Sequence, residues 1–183
     1  MNVSVTGGLL DLFAPKFGMD ALGVPGEKVT MKVVVASKDG KKTVTVFGTY
    51  AIGARHAQIS SQRLLDLGSE VDVVSIERYS LKNFVENANR LLSKIAVKGK
   101  PELRSESGKV WLVVNGIRLP ASFESMYVAA AQVFAILECQ GKKVRIALGD
   151  EVELFDNSRR RISGMRMKGE KLILERAFQN AEA

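Results

Sequence analysis

The stretch VTVFGTYAIGARHAQISSQRLLDLGSEVDVVSIERYSLKNFVENANRLLSKIAVKGKPELRSESGKVWLVV, residues 44–114, carries most of the fold information in this 183-residue chain. Val44 to Phe47 is a short β-branched strand ended by Gly48. Ala54 to Leu67 gathers Ala54, Ala57, Leu64 and Leu65 on one side at helical spacing, with Gly68 as a C-terminal stop. Val71 to Ile76 is a second β-branched run. In Asn83 to Ile95 the apolar residues Phe84, Ala88, Leu91, Leu92 and Ile95 recur at 3.6-residue spacing, and Asn83 with Glu86 forms a capping-box pattern. Two strands close the stretch, around Ala96 to Leu103 and over Lys109 to Val114. The order predicts βαβαββ, an α/β sandwich with both helices on one face of a four-stranded sheet.

Working outward, Lys28 to Phe47 reads as a β-hairpin, with Val29, Met31, Val33 and Val35 alternating against polar neighbours and Asp39-Gly40 at the turn. Met1 to Gly26 is Gly-rich and nearly uncharged, and reads as an irregular arm. Its apolar residues Leu9, Leu10, Phe13 and Phe17 need burying on this chain or on a partner. Beyond Val114, a long apolar helix is expected from Ser122 to Gln140, then a strand from Lys143 to Leu148 and short strands to Phe178. That echo of the first half suggests a second, incomplete repeat. The expected organisation is therefore an arm over 1–27, a hairpin plus α/β core over 28–114, and a second α/β unit with a β-rich basic end over 109–183. The expected core includes Ala57, Ile59, Leu64, Phe84, Leu91, Val128, Phe134 and Leu137.

With 46% hydrophobic and 26% charged residues the composition is that of a globular protein. The net charge of +7 draws such a chain toward polyanions. The single cysteine, Cys139, rules out an intrachain disulfide and sits in an apolar run, so the chain reads as intracellular and cytoplasmic. No apolar segment is long enough to span a bilayer. Catalytic patterns are thin. His56 is the only histidine, and neither a P-loop nor a dinucleotide fingerprint occurs. Asp150, Glu151 and Glu153 read as solvent-facing charges, so neither an enzyme, a metal site nor a cofactor is expected.

The junction Arg78-Tyr-Ser-Leu-Lys82 between strand and helix is the first candidate site. Arg78 and Lys82 would join the free N–H groups of a helix start in holding a phosphate, and Tyr79 would stack on a base. The hairpin cations Lys98, Lys100, Arg104 and Lys109 form the second. Arg159-Arg160-Arg161 is the densest basic cluster and suits a polyphosphate backbone.

The 44–114 pattern resembles the Alba family of small basic nucleic-acid-binding proteins: a strand ending in Gly48, a helix ending in Gly68, the Arg78-x-x-x-Lys82 junction, an amphipathic helix and a closing hairpin. The resemblance implies an Alba-like βαβαββ fold. It also implies a homodimer or internal pseudo-dimer, and binding to RNA or DNA with little sequence preference. Where the family carries Gly-Lys-Lys-Pro, this chain has Gly48-Thr49-Tyr50-Ala51; Arg118, similarly placed in the second half, would restore the missing cation. The expected function is sequence-nonspecific nucleic-acid binding through the phosphate backbone. The alternative is an adaptor subunit docked through its apolar arm.

Overall fold

The computed structural model describes residues 2–130 and 132–177. Strands make up 58% of it and helix 15%, which overturns the expected α/β sandwich. The chain divides into two units. One runs to Ser80 and includes Tyr127–Val133; the other comprises Leu81–Met126 and the chain from Phe134 onward.

The first unit is a six-stranded antiparallel sheet. Its elements are β1 (Asn2–Thr6), β2 (Leu9–Phe13), the short helix α1 (Ala14–Phe17), a 3-10 turn (Met19–Leu22), β3 (Lys28–Ser37), β4 (Thr43–Ala51), β5 (His56–Ser60), a second 3-10 turn (Gln62–Leu67) and β6 (Glu70–Arg78). The strand order is β4-β3-β6-β1-β2-β5, and the sheet curls until its outer strands β4 and β5 lie side by side in a nearly closed barrel. Period-2 alternation explains what fills it. Met31, Val33 and Val35 of β3, Val46 and Tyr50 of β4, Leu10 and Leu12 of β2, and Ala57 and Ile59 of β5 are all buried. The β3–β4 hairpin forms as expected. Asp39 shapes its turn by accepting from Ser37 Oγ (2.6 Å) and Lys41 N–H (3.0 Å).

Two expectations fail in this unit for one reason. The supposed helix Ala54–Leu67 is strand β5 followed by a 3-10 turn. His56, Gln58 and Ser60 alternate with buried Ala57 and Ile59, so a two-residue period outweighs the helical one read over the longer window. The supposed irregular arm forms β1 and β2, whose inward residues Val5, Leu10 and Leu12 contribute to the barrel interior.

The second unit is an antiparallel meander on a helix. α2 (Leu81–Leu92) starts two residues before Asn83 and buries Phe84, Val85, Ala88 and Leu92. There follow β7 (Glu102–Glu106), β8 (Lys109–Val114), β9 (Ile117–Ala129), β10 (Gln132–Cys139), β11 (Lys142–Leu148) and β12 (Val152–Phe155), in spatial order β12-β11-β10-β9-β8-β7. α2 packs against β7 at one end of this sheet and against β11 and β12 at the other, so the sheet wraps around it. A separate hairpin, β13 (Ile162–Lys168) and β14 (Lys171–Arg176), completes the unit.

No βαβαββ core is formed, and the second half is not an incomplete copy of the first: one sheet is a shuffled barrel, the other a simple meander. The expected helix Ser122–Gln140 is β9 and β10. Val133, Ala135, Leu137 and Cys139 are buried at every second residue, and the alanine-rich stretch that imitates a helix is where the two strands meet. Of the expected core, Ala57, Ile59, Leu64, Phe84 and Leu137 are buried, while Leu91, Val128 and Phe134 are half-buried.

Closure of the barrel depends on Gly48. A Cβ there would lie 2.6 Å from Cγ1 of Ile59 on β5, inside any tolerable contact. Gly48→Ala is therefore expected to cost about 1–3 kcal/mol through overpacking alone. The loss is read from the midpoint of urea unfolding, and it should shrink when Ile59→Ala is made in the same chain.

A candidate nucleic-acid interface on the second sheet

The register of β7, β8 and β9 decides which side chains share a surface. Leu103 pairs with Leu112, which pairs with Leu119, and all three are buried. The intervening rows therefore point the other way. They are Glu102–Val113–Arg118 and Arg104–Trp111–Pro120, each crossing three neighbouring strands, then Glu106–Lys109 across two. The two connections are tight: Ser107-Gly108 and Asn115-Gly116 have positive φ at both positions (50° and 78°, 51° and 80°), the geometry of two-residue hairpin turns.

A cleft of about 350 Å³ opens on this face, lined by Lys100, Glu102, Arg104, Val113, Asn115, Gly116 and Arg118. Three cations thus face one carboxylate. The Arg118 guanidinium lies 4.7 Å from the centroid of the Trp111 ring and 3.1 Å from a Glu106 carboxylate oxygen. Arg104 reaches Glu102 at 3.8 Å, a loose contact between half-exposed groups. Exposed pairs of this kind are worth about 0–1 kcal/mol, so either arginine can exchange its carboxylate for another anion at little cost.

The edge of this surface is held from behind. β7 is an outer strand, and the Asn89 carboxamide on α2 stands in for a missing neighbour. It accepts from Leu103 N–H (2.8 Å) and donates to the Leu103 carbonyl (2.7 Å). The Lys98–Lys100 loop is fixed by crossing β13, with Lys98 bridged to Gly164 and Met165 N–H donating to the Lys98 carbonyl (2.8 Å). A Cβ on Gly164 would meet Lys98 Cβ at 2.5 Å, so only glycine permits that approach. Asn115 N–H ties the same loop to the β8–β9 turn through the Gly99 carbonyl at 2.7 Å.

Lys100, Arg104 and Arg118 are thus brought together, with Lys109 on the same face at the β7–β8 turn. Lys98 is exposed at the loop crossing and reaches Glu175 at 3.8 Å. The junction residues do not join them. Arg78 ends β6 in the first unit and makes paired hydrogen bonds to Glu27 (3.0 and 2.6 Å), with a third to the Leu22 carbonyl. Those bonds hold the Glu27 carboxyl below its ordinary value and raise that of the arginine, so Arg78 is a neutralised structural cation. Tyr79 is 3% exposed and packs edge-on to Phe47, leaving no face for a base. Lys82 is exposed on α2, in the second unit. Of the arm residues, Leu10 and Leu12 fill the barrel, while Leu9 and Phe13 remain partly exposed.

Arg159, Arg160 and Arg161 lie in the turn between β12 and β13, all exposed. The turn is organised by Asp156, which is 8% exposed. Its carboxylate accepts from Ser158 N–H and Arg160 N–H (2.9 Å each) and from Arg176 Nε (3.1 Å). Burial pushes the Asp156 pKa up, but the backbone donation from Arg160 and the Arg176 guanidinium outweigh it and leave it below the ordinary value of 3.8.

Trp111 joins the candidate site without having been among the residues expected from the sequence. Val110, Leu112 and Val114 alternate with Lys109, Trp111 and Val113, which sets the only tryptophan on the same face as Lys109, opposite the buried row. Among the described residues no cluster of three or more metal-ligating side chains exists, and no helix is long and apolar enough to cross a membrane. Comparison of the chain with family models, with curated proteins and with solved structures gives no match.

Two outcomes are expected from this geometry. Asn89→Ala strips both partners from Leu103 and should destabilise the second unit by about 1–3 kcal/mol, read by chemical denaturation. Asp156 has a folded pKa below its unfolded one, so its contribution is fully present above the unfolded value and disappears as pH falls through the folded value. Below about pH 4, stability should therefore fall less steeply in Asp156→Asn than in the parent, as thermal melts across that range will show.

Proposed function

We propose that the protein binds single-stranded nucleic acid, RNA or DNA, without reading sequence, on the outward face of β7, β8 and β9. The observation that carries this reading is the row Arg104–Trp111–Pro120 beside a cleft walled by Lys100 and Arg118. Cations alternating with a flat apolar ring match a polymer in which phosphates alternate with bases. The segment 98–118 holds five cations (Lys98, Lys100, Arg104, Lys109, Arg118) against two carboxylates (Glu102, Glu106), so the face attracts anions before any contact forms.

The binding step follows from the weak pairing already described. Arg118 leaves Glu106 for a phosphate and uncovers Trp111, on which a base stacks. Arg104 leaves Glu102 in the same way. A duplex keeps its bases stacked on one another and offers nothing to Trp111, so single strands are favoured. None of these contacts reads a base edge, and sequence preference should be slight.

The chain's only tryptophan is its own reporter. Adding oligouridylate or oligodeoxythymidylate at low salt should quench Trp111 fluorescence, and duplex of the same length should do so much less. Affinity should fall with salt, with a log–log slope of about −0.7 per phosphate contacted; Arg104→Ala and Arg118→Ala should each remove about one such contact. Trp111→Ala should cost about 1–3 kcal/mol and Trp111→Phe much less. Unchanged fluorescence at low salt with every single-stranded probe would rule the reading out.

A further inference from the structure

The arginine tip between β12 and β13 holds its turn through backbone bonds alone, and its three side chains take no part in them. Among the described residues none of Arg159, Arg160 and Arg161 makes a side-chain ion pair. The nearest carboxylate in sequence, Asp156, is turned inward and consumed by two backbone N–H groups and Arg176. Glu175 is taken by Arg166 at 3.2 Å and by Lys98. Three like charges are therefore presented together without a counter-charge. Arg159 also adopts φ 62°, a backbone region in which a side chain of this kind is disfavoured relative to glycine or asparagine.

The tip is connected to the cleft through rigid elements of the same unit. Arg161 bridges Phe155 and leads directly into β13, where Gly164 bridges Lys98. Two residues further on, Lys100 lines the cleft. Three residues of strand from Arg161 to Gly164 span about 10 Å.

We propose that Arg159, Arg160 and Arg161 form a second phosphate-binding station for the strand that occupies the β7–β8–β9 face, so that an oligonucleotide continues from the cleft past Lys98 to this tip. The inference rests on the binding reading above and adds to it the length and polarity of charge along the site. Short strands occupy the cleft alone. Longer ones, of about 12 nucleotides, reach both stations.

The test uses the full chain and two labelled oligouridylates, of about 4 and about 12 nucleotides, titrated by fluorescence anisotropy over a range of salt. Replacing all three arginines by alanine should weaken binding of the longer strand about tenfold or more and lower its salt slope by about 2, while leaving the shorter strand unchanged. The triple Arg→Lys chain should keep the salt slope, because the charge is retained. If the alanine chain binds both lengths as the parent does, or loses both equally, the second station does not exist, while the parent's binding of the short strand leaves the cleft reading standing. If the parent binds neither length, the underlying reading fails, and the two failures are told apart by the short strand.

Discussion

Hairpin register governs everything at the candidate interface. A two-residue turn leaves its flanking strands a single way to pair, and a slip of one residue would turn every side chain to the opposite face. Ser107-Gly108 and Asn115-Gly116 lock β7 to β8 and β8 to β9. Because of that lock, Leu103, Leu112 and Leu119 are buried while Arg104, Trp111 and Arg118 share the opposite surface. The apolar core and the cationic face are two consequences of one constraint, and neither can shift without the other.

The same logic explains why the supports of the surface are polar or glycine. A carboxamide on α2 completes the outer strand, and a glycine on β13 lets the Lys98 loop pass at backbone distance. These devices put cations on rigid elements, so little ordering remains to be done when an anion arrives. The ion pairs they carry, Arg104–Glu102 and Arg118–Glu106, are exposed and weak.

How much of this could be read in the residues depends on the range of the interaction. The β3–β4 hairpin and α2 were legible because their signals are local: strict alternation around Asp39-Gly40, and apolar residues at helical spacing. β5, β9 and β10 were not, because alanine-rich windows favour helix by propensity while the burial pattern follows a period of two. Asn115-Gly116 between two apolar runs is a strong local hairpin signal, and it outweighs the longer-range echo between the two halves. At the site, the cations Lys100, Arg104 and Arg118 were legible as charges. The elimination of Arg78 was not, since its partner Glu27 lies 51 residues away and only tertiary structure brings them together. Tyr79 was misplaced similarly, by a burial that no local pattern announces.

The bonding at Leu103 has a consequence for how this molecule behaves in a crowd. An open strand border invites a neighbouring molecule to add on, and from there to fibrils. Since both Leu103 main-chain groups face Asn89, alternation makes Pro101 and Ser105 its companions on that border. Pro101 has no hydrogen to give and Leu103 is already satisfied, so an intruding chain would find only the Pro101 carbonyl and Ser105 to grip.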